Sequence, residues 1–139
     1  MLVLDTNVVS ELRKVRGGKG NARVAAWSGS VKAAHLFLSA ITIHELEIGV
    51  LLAERKDPPR GAILRAWLED HVLRGFEGRI LPVDTAVARR SAQLHVPDPY
   101  PPRDGLIAAT ALVHGMAVVT RNVADFKRSG VRLLNPWEP

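Results

Sequence analysis

The chain has 139 residues, 19 Lys and Arg against 14 Asp and Glu for a formal charge of +5, 47% hydrophobic residues and no cysteine. That size and apolar content suit one globular domain with a substantial core and exclude a disordered or fibrous chain; the lack of Cys excludes disulfides, thiol nucleophiles and thiolate-ligated zinc. No apolar stretch reaches the ~20 residues that a membrane crossing needs, and Met1 to Asp5 lacks a basic leader, so the expectation is a cytoplasmic protein whose basic excess favours an anionic partner such as nucleic acid.

Leu2-Val3-Leu4 opens into Asp5-Thr6-Asn7, polar capping residues ahead of Val8-Val9-Ser10-Glu11-Leu12, and predicts a strand turning directly into a helix. The stretch from Lys14 to Asn21, with Gly17, Gly18 and Gly20 among Lys14, Arg16 and Lys19, reads as a mobile basic loop, and a helix is expected over 22–34. Leu36-Phe37-Leu38 is the second strand, and Ser39 or Thr42 caps a helix over 43–55 that Asp57-Pro58-Pro59 ends. Helical spacing resumes from Ala62 to Arg74, so a Pro-rich turn joins two helices in a hairpin. A third strand is expected over 79–83, then a helix from Asp84 to about His95. Pro97, Pro99, Pro101 and Pro102 predict an extended segment before a helix from Gly105 to His114, which Gly115 stops. Met116 to Val119 is the fourth strand, Asn122 to Phe126 a turn or short helix, and Val131 to Leu134 a weak last strand. The alternation predicts a single α/β sandwich with a largely parallel sheet, without internal repeats.

Ligand sites in such sheets gather beyond the carboxyl ends of the strands. Asp5 directly follows the first strand, and Asp125 lies shortly past Val118-Val119. Asp5 reads equally well as a helix N-cap worth ~1 kcal/mol, and Asp104 and Asp125 as acids that complement a helix dipole. Glu45 resists such a reading: it shares a helix face with Ile41, Ile48 and Leu52, where an unpaired carboxylate costs about several kcal/mol. Glu47 looks like an ordinary partly exposed charge. Carboxylates gathered at strand ends repel one another, and a divalent cation supplies the counter-charge. With no Cys and no ligand-spaced His, an all-oxygen donor set favours Mg²⁺ or Mn²⁺ over zinc or copper, ions that activate water and neutralise a phosphodiester.

Four strings stand in order along nearly the whole chain: Leu4-Asp5-Thr6-Asn7; Ser39-Ala40-Ile41-Thr42-Ile43-His44-Glu45-Leu46 with Gly49; Asp104-Gly105-Leu106-Ile107-Ala108-Ala109-Thr110-Ala111; and Val119-Thr120-Arg121-Asn122 with Asp125-Phe126. Together with the ending Leu134-Asn135-Pro136-Trp137 they resemble a PIN-domain ribonuclease, and more narrowly the VapC and FitB toxins of toxin–antitoxin pairs. The resemblance implies a three-layer PIN-like sandwich over residues 1–139 and a Mg²⁺-dependent endoribonuclease, with Mn²⁺ as a substitute ion. In it Asp5, Glu45, Asp104 and Asp125 hold metal, Thr6 and Asn7 orient Asp5, and Thr120 and Asn122 line the same pocket. The last acid varies most in the family, with Asn122 a substitute contact. A homodimer, and a small antitoxin covering the site, are implied as well.

Other readings fare worse. The Arg16 to Gly20 loop follows no strand, and Gly18-Lys19 leads to Gly20 where a Walker loop needs Ser or Thr; it is a solvated loop, or one whose Lys14, Arg16, Lys19 and Arg23 touch RNA. His44-Glu45 is followed by Ile48 where a zinc protease needs His. A phosphoaspartyl transferase needs a second Asp where Asn7 stands. A non-catalytic RNA-binding module leaves Glu45 unexplained, and the aromatics form no clustered stacking platform. Arg103, Arg121, Lys127 and Arg128 flank the motif acids as candidate phosphate contacts. The hairpin over 43–74, with Leu51, Leu52, Trp67 and Leu68, either offers a groove to an antitoxin helix or completes the protein's own core.

Overall fold

Parallel pairing of short, wholly apolar runs organises the chain. In the computed structural model, which describes residues 1–139, the elements are β1 (Leu2–Leu4), α1 (Thr6–Arg16), α2 (Ala22–Ser30), β2 (Leu36–Ser39), α3 (Ala40–Lys56), α4 (Pro58–Trp67, continued by a π-helical turn, Leu68–Leu73), β3 (Ile80–Leu81), α5 (Thr85–Leu94), α6 (Pro102–Val113), β4 (Ala117–Val119), α7 (Val123–Phe126) and β5 (Leu133–Leu134). The strands form one parallel sheet in the order β3-β2-β1-β4-β5. Side chains alternate across a strand. Leu4 therefore joins Val8, Val9, Leu38, Leu46 and Leu68 on one face, and Val3 joins Ile107, Ala108, Ala111, Val118 and Phe126 on the other. Two cores on one sheet make three layers, the expected α/β sandwich. The small residues Ala108 and Ala111 of α6, both fully buried, let that helix approach the sheet closely.

Several boundaries differ from the sequence reading, each for a local reason. The Ser39 side chain accepts from the Ile41 N–H at 3.0 Å and starts α3 at Ala40, earlier than expected. The diproline is no turn: Asp57 both ends α3 and caps α4, and Pro58 occupies the first turn of α4, where a missing N–H costs nothing. Likewise α6 begins at Pro102 instead of Gly105, which places Arg103 and Asp104 in its first turn. The basic loop is tied down. Gly17 and Lys19 N–H groups donate to the carbonyls of Arg13 (3.2 Å) and Lys14 (2.9 Å), the Asn21 N–H donates to Glu11 Oε2 at 2.7 Å, and a Cβ on Gly20 would fall 2.2 Å from Val15 Cγ2.

The hairpin divides its apolar residues. Leu68 is fully buried and Trp67 packs against the core, while Leu51 and Leu52 are 54% and 63% exposed. Close approach of α4 to α3 depends on Gly61, whose absent Cβ would lie 2.4 Å from Glu54 Cα, and Arg65 spans the two helices to Glu47 (2.5 Å) and Glu54 (3.0 Å). Glu47 is thus an interhelical partner and more than a solvated charge. From β1 the chain reaches β2 on one side of the sheet and, later, β4 on the other. The crevice between the carboxyl ends of β1 and β4 is the topological switch point.

Candidate functional site

Asp5 leaves β1 and enters α1 as its N-cap, with Oδ1 accepting the Thr6 N–H at 2.8 Å. Its Oδ2 accepts the Thr120 hydroxyl at 2.8 Å, from the residue that follows β4, and the Asn7 amide at 3.2 Å. The backbone fixes this pairing as well, since the Asp5 N–H donates to the Val119 carbonyl at 2.8 Å. The side chain is buried, 6% exposed. Burial pushes its pKa up, the Thr120 hydroxyl and the Thr6 N–H pull it down, and the charges of Glu45 and Asp125 raise it again. A cap alone gains nothing from such neighbours.

Glu45 stands one turn into α3, its side chain 25% exposed. It lies at the edge of the buried face that Thr42, Leu46 and Val50 form, so the apolar face expected around it is partial; Leu52 on the same side is exposed. Its Oε1 accepts the Thr6 hydroxyl at 2.7 Å, and that hydroxyl also lies 3.2 Å from the hydroxyl of the fully buried Thr42. Arg103 approaches Oε2 at 3.8 Å. Asp104, half-buried in the first turn of α6, has its carboxyl pushed up to about 6, by burial first and then by the charges of Asp5, Asp125 and Glu45. Asp125 is exposed on α7. The four acids therefore lie in one another's field, brought together from α1, α3, α6 and α7. They leave the centre open: no three converge on a single point as a ready-made cage. An open, all-oxygen set of repelling carboxylates fits an ion that keeps several of its waters, as Mg²⁺ does.

The neighbouring polar residues divide their tasks differently from the expectation. Asn7 does orient Asp5, but the Thr6 hydroxyl serves Glu45 and only its N–H serves Asp5. Thr120 bonds Asp5 directly. Asn122 contributes its backbone N–H to the Thr120 hydroxyl (3.0 Å), while its side chain is exposed and bonds no site acid. Of the flanking cations, Arg128 is committed elsewhere: it donates to the carbonyls of Asp98 (3.0 Å) and Pro99 (2.8 Å) and lies over the Tyr100 ring. Arg121 lies over Trp137, 5.4 Å from the ring centroid, with its N–H on Asn7 Oδ1 at 3.3 Å.

Sequence reasoning missed two supports. Thr42 had a signal, a small polar residue three positions before Glu45 on the same helix face. Tyr100 had none: buried at the end of the proline segment, it donates its hydroxyl to the Asp125 carbonyl at 2.5 Å, across 25 residues of chain.

The PIN domain model matches residues 2–130. The chain is 40% identical over 144 residues to a VapC ribonuclease of Sinorhizobium fredii, covering 100% of this chain and 99% of the relative. It is 39% identical over 143 residues to Toxin FitB of Neisseria gonorrhoeae, covering 99% of each. The crystal structure of FitAcB from Neisseria gonorrhoeae superposes with a TM-score of 0.90 at 38% identity, covering 100% of both chains. With its sheet order, its gathered acids and these matches over its whole length, the chain belongs to the PIN-domain family, in the group that holds VapC and FitB.

Proposed function

We propose that the protein is a divalent-metal-dependent endoribonuclease, the toxin of a toxin–antitoxin pair. The observation that carries the reading is the gathering of Asp5, Glu45, Asp104 and Asp125 at the switch point, with Asp104 pushed up to about 6 by burial and by the other three. Burial is the largest single part of that push and like charge adds to it; both are costs to the ionised carboxylates that a bound cation would relieve. Asp5, Glu45, Asp104 and Asp125 would hold the ion or ions, which supply counter-charge to a phosphodiester and lower the pKa of a bound water towards neutrality. The chain's own residues set the stage for that chemistry. Thr120 and Asn7 aim Asp5, the Thr120 hydroxyl opposing the upward push of burial on its pKa, Thr6 fixes Glu45 relative to α1, and Tyr100 holds the Asp125 backbone. Arg103, 3.8 Å from Glu45, would meet the substrate's phosphate.

A phosphoaspartyl reading is poorly served, because both Asp5 oxygens accept hydrogen bonds and the side chain is nearly closed off from solvent. An antitoxin partner belongs to the same proposal, supported by the relative that bears the name toxin and by the likeness to the FitAcB structure; the dimer is part of it as an expectation of the family resemblance alone. The test is direct: the purified protein cuts RNA with Mg²⁺ or Mn²⁺, stops with chelator, and loses cutting on Asp5→Asn while its melting temperature holds, since Asn is also a good N-cap. Cutting that survives both chelator and substitution sinks the reading.

A further inference from the structure

The acid centre opens into two recesses that share Glu45. One, about 390 Å³, is lined by Glu45, Pro101, Pro102, Arg103 and Asp104. The other, about 230 Å³, runs between α1, α3 and α4, and its walls include Thr6, Ser10, Arg13, Arg60, Leu64 and Trp67. Arg13 and Arg60 enter none of the chain's ion pairs, which all involve Arg65, Arg74 or Arg103. The Arg13 guanidinium lies over the Trp67 ring instead, 5.8 Å from its centroid. Two cations without anionic partners, an indole and an aliphatic wall lead directly to the carboxylates. Guanidinium groups match phosphate oxygens, and Trp67, with Arg13 over its ring, leaves an apolar edge beside Leu64 against which a base can pack without demanding a sequence.

We propose that this second recess is a nucleotide subsite for single-stranded RNA. The strand crosses Glu45, the phosphate next to the scissile one rests on Arg13 and Arg60, and the adjoining base packs against Trp67 and Leu64. This rests on the ribonuclease reading above. A polyanion is favoured over a peptide helix as occupant because the free cations are continuous with the centre assigned to a phosphodiester.

Gly49 lines the same recess, and a Cβ placed on it meets nothing within 4 Å. A Cβ is therefore accommodated there, and Gly49→Leu is expected to narrow the recess, with a thermal melt of the variant checking that the fold is kept. The experiment measures binding of a fluorescein-labelled RNA dodecamer to the full chain by anisotropy, in EDTA and in Ca²⁺, for the unchanged protein, Arg13→Gln, Arg60→Gln and Gly49→Leu. Each variant is expected to weaken binding on the order of three- to tenfold, and each Arg change to flatten the slope of log affinity against log salt by about 0.7. Mn²⁺ affinity, read separately by calorimetry, is expected to stay unchanged. Absence of Mn²⁺ binding by the unchanged protein counts against the metal reading alone. RNA affinity that is unaltered in all three variants, or no RNA binding by the unchanged protein in either buffer, overturns the subsite.

Discussion

Asp5 and Asp104 owe their properties to different surroundings. Asp5 is buried but bonded by Thr6, Asn7 and Thr120, whereas Asp104 meets mainly burial and like charge. Its proton is held more tightly in the folded state than in the unfolded chain, where its pKa is 3.8. Metal-free stability therefore falls as pH rises from about 4 to about 6 and is level above that. Asp104→Asn removes this loss: it is expected to stabilise the metal-free protein by about 1 kcal/mol at pH 8, a figure reduced because the group is partly exposed, and to do nothing near pH 4. Denaturant melts at the two pH values check it. Thr120→Val acts the other way. Thr120 is fully buried, so losing the hydroxyl that serves Asp5 Oδ2 leaves a buried carboxylate short of a donor, and about 1–3 kcal/mol of stability goes with it by urea midpoint.

The α3–α4 hairpin carries two glycines whose neighbourhoods can be told apart only in the folded state: Gly49 of α3, and Gly61 of α4 packed against α3. Gly61→Ala forces a methyl group onto Glu54 Cα and is expected to cost about 1–3 kcal/mol. Gly49→Ala meets open space on an exposed helical position and is expected to gain roughly 0.5–1 kcal/mol. Opposite shifts of the melting temperature in the two variants are the check. Capping shows the same dependence on context. Ser39 was legible as a cap and Asp84 as a helix start because their side chains act on N–H groups two or three residues away; Asp57, read as a helix end, also caps α4 through the Arg60 N–H. The diproline was misplaced because a proline-rich break and a proline-led helix start look alike in sequence.

For the whole molecule, setting aside the four site acids leaves 19 Lys and Arg facing ten acids. On the proposed reading, the modest overall charge would divide into a basic remainder and a negative centre, an arrangement that would attract a polyanion and require a cation to admit its phosphate. The metal-free protein is expected to gain about 2.7 kcal/mol of stability from Mn²⁺ at a hundredfold excess over its dissociation constant. Asp5→Asn should lose most of that gain, which thermal melts with and without Mn²⁺ will show. No helix of the chain is long and apolar enough to cross a membrane.

What was legible from sequence was whatever depends on near neighbours: the strands and helices, and the parallel sheet implied by their alternation; the apolar face expected around Glu45 was only partly right, since Glu45 lies at the edge of the buried face and Leu52 is exposed. The motif resemblance added the set of four acids. What was hidden depends on contacts between distant segments. The Thr120 hydroxyl reaches Asp5 across 115 residues, and the Tyr100 hydroxyl reaches Asp125 across 25. The separation of Leu68 in the core from Leu51 and Leu52 in solvent, and the tying of the basic loop to Glu11 and Val15, follow from how helices pack, which periodicity leaves open. Local propensity acts over a turn or two of chain, whereas a site's charges, hydrogen bonds and recesses are properties of the space that packing encloses.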